Sequence, residues 1–200
     1  MPLVLLVLVS CSPKEGRVEL QASQVLGTVL ARETVHAAGS KKQVVLIVPQ
    51  WAANSTVGES FTAALKKQGV SVESTIIAEV GDPMGRQALG LKSTDFFKVL
   101  QKGAGAGAIV SLAGAPLLNG QNATQVNPNH PPMLVVATSS LGNVLGVPTD
   151  RAYLSGLLNA KVVQLAIVGG ESQTNANPAG KTDPTEQLFF QNYTILRSGD

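Results

Sequence analysis

The amino-acid sequence predicts a doubly wound α/β domain: a three-layer sandwich with helices on both faces of a mainly parallel sheet of five to six strands. Val44-Val45-Leu46-Ile47-Val48 is an aliphatic run without polar alternation, as a strand covered on both faces requires. A helix-period segment and a second β-type segment follow it within about thirty-five residues, the size of one βαβ unit with its right-handed crossover. The alternation of strand and helix then recurs to the end of the chain. A flavodoxin-like strand order, 2-1-3-4-5, sets the most apolar strand in the interior of the sheet.

Residues 12–17 are polar and read as a tether. From Val18 to Ala38, Leu20, Val25, Leu26, Val29, Leu30 and Val35 recur at helical steps, and Gly39 is placed to end the helix. After the first strand, Thr56-Val57-Gly58-Glu59 fits a capping box. It opens a helix to Gln68 that turns Val57, Phe61, Ala64 and Leu65 to the core and stops at Gly69. Val70 to Ala78 is the second strand, with Val70, Val72 and Ile76 on one face, and Gly81-Asp82-Pro83 breaks it. Gly81 to Lys92 is a loop. Ser93 or Thr94 then caps a helix to Lys102 whose apolar side is Phe96, Phe97, Val99 and Leu100.

Ala108 to Leu112 and Met133 to Ala137 are the third and fourth strands. The polar stretch between them, Gly114 to Pro132, is long for a connection and reads as a surface excursion. Pro148-Thr149 opens a helix carrying Tyr153, Leu154, Leu157 and Leu158, and Val163 to Val168 is the fifth strand. Ser172 to Lys181 is a loop, and Phe189 to Leu196 is a last strand at an edge.

Composition narrows the function. Of 200 residues, 44% are hydrophobic and 14% charged, which suits one globular domain over residues 18–200. The net charge is only +2 and the lysines and arginines are scattered along the sequence, so no basic helix offers itself to nucleic acid. Aromatic residues make up 4%, too few for base-stacking platforms. Cys11 is the single cysteine, which excludes an intrachain disulfide and a multi-cysteine metal site.

Several motifs have structural readings. Gly103-Ala104-Gly105-Ala106-Gly107 follows a helix and opens a strand, the reverse of a phosphate loop, so it reads as a helix end and a tight turn. His36 and His130 have no partners at catalytic or zinc-binding spacing. Ser111, Ser139 and Ser140 stand near strand ends, outside any Gly-x-Ser-x-Gly elbow, and the aspartates are isolated. No metal and no cofactor is expected.

Position is the remaining guide. Ligands of open α/β sheets bind beyond the carboxyl ends of the strands, where the strand order reverses. That places a ligand at the loops after the first and third strands, lined by Gln50, Trp51, Asn54, Ser55, Gly114 and Ala115, with Thr138 and Ser139 as the far wall. The tryptophan face beside amide and hydroxyl groups suits a sugar-like or small polar molecule.

Pro2 to Val9 is an unbroken apolar run, too short to span a bilayer and of the length of a signal-peptide core. With Leu8-Val9-Ser10-Cys11 closing it, residues 1–11 resemble the signal and lipobox of bacterial lipoproteins, though no Lys or Arg precedes the run. This resemblance implies lipidation at Cys11 and a membrane-anchored protein facing the periplasm or cell exterior. Val44 to Gln50, Phe61 to Gly69 and Ala108 to Leu112 resemble one lobe of a type 1 periplasmic-binding-protein domain. This second resemblance implies solute binding. The family clamps its ligand between two lobes, so a single lobe implies a second protein that completes the cleft. A scaffold or protein-interaction lobe of an envelope complex, or an α/β enzyme of unknown reaction, remain the alternatives.

Lipidation is directly measurable. Mass spectrometry of the membrane fraction should show residues 1–10 removed and an added lipid mass on Cys11, and Cys11→Ser should release the protein from membranes. An intact Met1 in that fraction contradicts it.

Overall fold

The computed structural model describes residues 13–52, 54–80, 90–138, 151–169 and 183–198. Its main sheet is built from β1 (Gln43–Pro49), β2 (Ser71–Ala78), β4 (Ala108–Ser111), β6 (Met133–Ala137), β7 (Leu165–Gly169) and β8 (Tyr193–Arg197). They lie in the order β2-β1-β4-β6-β7-β8. All neighbours are parallel except β8, which returns antiparallel to β7. The first five strands reproduce the expected 2-1-3-4-5 order, with β1 inside. A separate parallel pair joins β3 (Leu91–Lys92) to β5 (Pro116–Leu117).

Both faces of the sheet are covered. On one, α1 (Pro13–Ala38), α2 (Thr56–Lys67) and α6 (Pro184–Asn192) press Leu26, Leu30, Phe61, Leu65 and Phe189 against Val44, Leu46, Val48, Val110 and Ile167. On the other, α3 (Ser93–Lys102) and α5 (Arg151–Asn159) bring Phe96, Val99, Leu154 and Leu158 to Val45, Ile47, Ile109, Val135 and Val168. A short helix α4 (Gly120–Ala123) lies in the long connection before β6. The left-handed glycines Gly39 and Gly69, φ +59° and +72°, stand where α1 and α2 were expected to end.

The structure corrects several local expectations. Pro13 to Arg17, expected in the tether, belong to α1. Proline is pre-shaped for the first helical position, so the helix starts there and not at the first apolar residue. The cap of α2 is Ser55, one residue before the expected Thr56, and its side chain accepts the Gly58 N–H at 3.2 Å. Helix α3 begins at Ser93 after Lys92, with no side-chain cap. Leu91 and Lys92, expected in a loop, form β3 because Leu91 N–H reaches the Ala115 carbonyl at 3.1 Å. The fifth strand starts at Leu165, since Val162 and Val163 close the turn from α5 with N–H bonds to the Leu157 carbonyl.

Two corrections have larger causes. Phe189 to Asn192, expected in the last strand, end α6: Asp183 accepts the Thr185 N–H at 3.0 Å and Pro184 opens the helix, a start signal strong enough to carry these aromatics. Tyr193 then begins β8, its ring 5.4 Å from that of Phe189. In β2 the expected common face of Val70, Val72 and Ile76 is broken. Val44 pairs with Val72 but Val45 pairs with Ser74, so Glu73 is an extra residue, a bulge. Val70 and Val72 therefore pack with α1 and α2, whereas Ile76 packs on the opposite side beside α3. Ile77 is left 61% exposed on this edge strand. The expected loop over 172–181 lies outside the described residues, as do 81–89 and the helix start at Pro148-Thr149.

Helix α1 has 26 residues, about 39 Å at the helical rise, against about 23 Å for the seven residues of β1. It enters β1 from the amino end of the sheet, so its own start points past the carboxyl ends of the strands. Arg17 to Gln21 are exposed all round, and burial begins at Ala22. The helix meets α2 at Gly27, where a Cβ would fall 2.6 Å from the Val57 carbonyl oxygen and 2.8 Å from the Phe61 nitrogen.

That contact sets a test with opposed terms. Alanine exceeds glycine in helix propensity by about 1 kcal/mol. The backbone atoms of α2 cannot swing aside, and overpacking of this kind costs about 1–3 kcal/mol. Gly27→Ala should therefore lower the urea midpoint. A midpoint at or above that of the parent would show that the two helices do not approach as described.

Candidate functional site

The strand order reverses at β1. The chain leaves it for β2 by way of α2 on one face and returns to β4 by way of α3 on the other. The loops after β1 and β4 therefore part at the carboxyl end of the sheet, the place where folds of this strand order form a ligand crevice. On the β1 side, the 3-10 turn Gln50–Ala52 carries an exposed Gln50 and a buried Ala52. Trp51 sits in this turn; its side chain lies outside the described set. Asn54 is exposed, and Ser55 N–H donates to the Ala52 carbonyl at 3.1 Å while its side chain caps α2. The amino end of α2 thus opens on the crevice, where free N–H groups favour a polar or anionic group.

On the β4 side, Leu112 N–H donates to the Ile47 carbonyl at 2.8 Å, and the chain turns at Gly114, φ +85°. Ser111 is fully buried and its hydroxyl donates to the Gly114 carbonyl at 2.8 Å. That bond explains Ser111 as a brace of the loop. Ala115 packs in the core on the α3 side and gives its carbonyl to β3. Thr138, 1% exposed, follows β6 at the same end of the sheet. Of the expected lining, then, Gln50, Asn54, Ser55, Gly114 and Thr138 share one end of the sheet, and Ala115 stands beneath the small β3–β5 pair. Ser139 lies outside the described residues, as does Cys11.

Other expectations resolve into structural roles. The Gly103 to Gly107 run turns α3 into β4 at the amino end of the sheet, with Gly107 N–H donating to the Gln43 carbonyl at 2.8 Å. His130 places Nδ1 2.7 Å from the Pro131 carbonyl and Nε2 3.2 Å from that of Lys161, which ties the connection before β6 to the turn after α5. His36 is exposed in the last turn of α1. Among the described residues no three His, Cys, Asp or Glu side chains gather as metal ligands would.

Two features escaped sequence reasoning. Tyr153 was read as core; its hydroxyl also donates to the Pro116 carbonyl at 2.6 Å and accepts the Leu118 N–H at 2.8 Å, which fastens β5 to α5. A groove of about 360 Å³ also runs between β2 and α3, lined by Ile76, Ile77, Leu91, Asp95, Lys98 and Lys102. The bulge at Glu73 that turns Ile76 toward it leaves no mark in the sequence. Lys98 pairs with Asp95 and Lys92 with Glu79, each at 3.4 Å, so the groove's charges are largely satisfied internally.

No family model matches the chain, and no curated protein matches it. Solved structures resemble it in fold. A periplasmic ribose ABC transporter protein from Conexibacter woesei superposes with a TM-score of 0.46 at 14% identity, over 73% of this chain and 45% of its own. An R. palustris ABC transporter solute-binding protein in complex with benzoate gives 0.39 at 10% identity, over 85% and 39%. An alcohol dehydrogenase from Oenococcus oeni gives 0.37 at 20% identity, over 58% and 34%. The chain spans less than half the length of each, and binding proteins and an enzyme stand side by side. The likeness is one of α/β architecture, and such architectures host many functions.

The cap of α2 has a measurable weight. Ser55→Ala should destabilise the protein by about 1 kcal/mol, the usual value of a side-chain N-cap. Thr56→Ala, one residue inside the helix, should cost less, and chemical denaturation of the two variants compares them. The reverse order would return the cap to Thr56.

Proposed function

We propose that this chain is an extracytoplasmic binding lobe of periplasmic-binding-protein type that takes a small polar, sugar-like solute in the crevice. The lining we assign to it is Gln50, Trp51, Asn54, Ser55 and Gly114, with Thr138 and Ser139 opposite and Ala115 as buried support behind Gly114. The carrying observation is that the amino end of α2, capped by Ser55, opens where the strand order reverses. Both features favour a polar ligand at that end and neither requires a catalytic group. The apolar run ending at Cys11 supports export and a lipid anchor. Among the described residues no helix is long and apolar enough to cross a membrane.

One lobe supplies one wall of such a site. A second protein, or a second lobe, supplies the other. The same one-walled geometry favours, as a second reading, a scaffold lobe whose crevice receives a protein.

A thermal-shift screen of sugars, amino acids and nucleotides separates the two. A true ligand at a hundred times its dissociation constant should add about 2.7 kcal/mol of stability. The same ligand should change Trp51 fluorescence, and Trp51→Ala should weaken it without lowering the melting temperature of the free protein. Equal affinity for that variant would move the site away from the β1 loop.

A further inference from the structure

The lysines that lie scattered in sequence are gathered by the topology. Lys41 and Lys42 lead into β1, Lys66 and Lys67 end α2 before β2, Lys102 ends α3 before β4, and Lys161 follows α5 before β7. Each of these strands runs parallel, so all six side chains stand at the amino end of the sheet, opposite the crevice. All six residues are exposed. Neighbouring strands lie about 4.8 Å apart, so the cations are spread over a face about 19 Å wide from β2 to β7, with Lys66 and Lys67 on one side of the sheet and Lys102 and Lys161 on the other.

Lysine near a helix end is common because it offsets the negative end of the helix dipole. Here that effect falls short. Four helices, α1, α2, α3 and α5, end on this side, and at roughly half a charge each they offset about two of the six positive charges. Of the described acidic side chains near this end, Glu33 is held by Arg197 at 2.7 Å, Glu186 by Arg32 at 2.6 Å, and Asp183 caps α6. Glu73, at the β2 bulge, remains. Glu19, Glu59, Glu79 and Asp95 stand toward the opposite end, Glu19 in the second turn of α1, Glu59 and Asp95 in the first turns of α2 and α3, and Glu79 after β2. With Glu73 and Asp183 counted, an excess of about two positive charges is left on one end of a chain whose total is +2.

We propose that this amino-end face binds a linear phosphate-bearing polyanion through charge alone. A flexible chain of anions can follow cations spread over such a face. Its cations are point-charge lysines, without the arginine forks that read base edges or the aromatic faces that stack bases. The start of α1, and with it any anchor at Cys11, lies at the other end of the molecule, which turns this face away from the bilayer that would hold the protein.

The probe is long-chain inorganic polyphosphate, titrated against the whole mature chain at several salt concentrations. The logarithm of the affinity should fall with the logarithm of salt at a slope of about −4, the value for six neutralised phosphates on a flexible strand. Replacing Lys42, Lys66, Lys67 and Lys102 together by Gln should lower affinity at least tenfold, with a small fall in melting temperature as two helix ends lose their cations and with the fold retained by circular dichroism. Lys92→Gln, at the opposite end, should leave it unaltered. A single-stranded oligonucleotide bound with similar affinity in any sequence supports phosphate as the recognised group; sequence-selective binding overturns it. No binding of polyphosphate at low salt, equal binding by the fourfold variant, or capture only of anionic vesicles or polyglutamate would also overturn the proposal.

Discussion

Because β1 is buried on both faces, it can hold no polar side chain and must satisfy its backbone from parallel neighbours on both edges. Val44 to Val48 meet the first demand, and β2 and β4 meet the second. Helices are then required above and below, since an aliphatic strand open to water on one side would forfeit the burial that holds it. The rest follows from this. α1 must approach α2 closely enough to seal one face, and Gly27 permits it. α3 and α5 seal the other, with Phe96 at the centre of that layer.

The same constraint makes the site. Parallel strands covered on both faces send every connection from a carboxyl end to a helix start, so the loops of β1, β4 and β6 collect at one end. What they present there is backbone and small side chains: a 3-10 turn, a left-handed glycine, a serine engaged as a helix cap. Ser111 and Thr138 are buried beneath them. Such a surface is what the proposed binding of a polar solute would use.

Much of this was legible in the sequence because the signals were local and periodic. The aliphatic run of β1, the Val57-Phe61-Leu65 stripe of α2 and the glycines after α1 and α2 each follow from short-range rules. The failures share a different character. The bulge at Glu73 is a backbone pairing decision that reverses the facing of Ile76, and no property of Glu73 announces it. β3 is two residues long and exists only because Ala115 offers a carbonyl across the fold. The Asp183-Pro184 helix start was present but was outweighed by the β-type appearance of the residues after it. For the candidate site, topology told only which end of the sheet Gln50, Asn54, Ser55, Gly114 and Thr138 would share, while the burial of Ala115 on the α3 side depended on a tertiary contact. The collection of lysines at one end was likewise invisible in a linear reading.

The overhang of α1 has a consequence for how the protein would operate. Pro13 lies fourteen residues, about 21 Å along the helix, before the contact of Gly27 with α2, and only Ser12 separates it from Cys11. Anchored at Cys11, the domain would stand on a rigid post. The post leaves the body at the crevice end, so the mouth would look down on the lipid across a narrow gap. Under the proposed anchoring and binding, a solute would enter from the side, between the body and the bilayer.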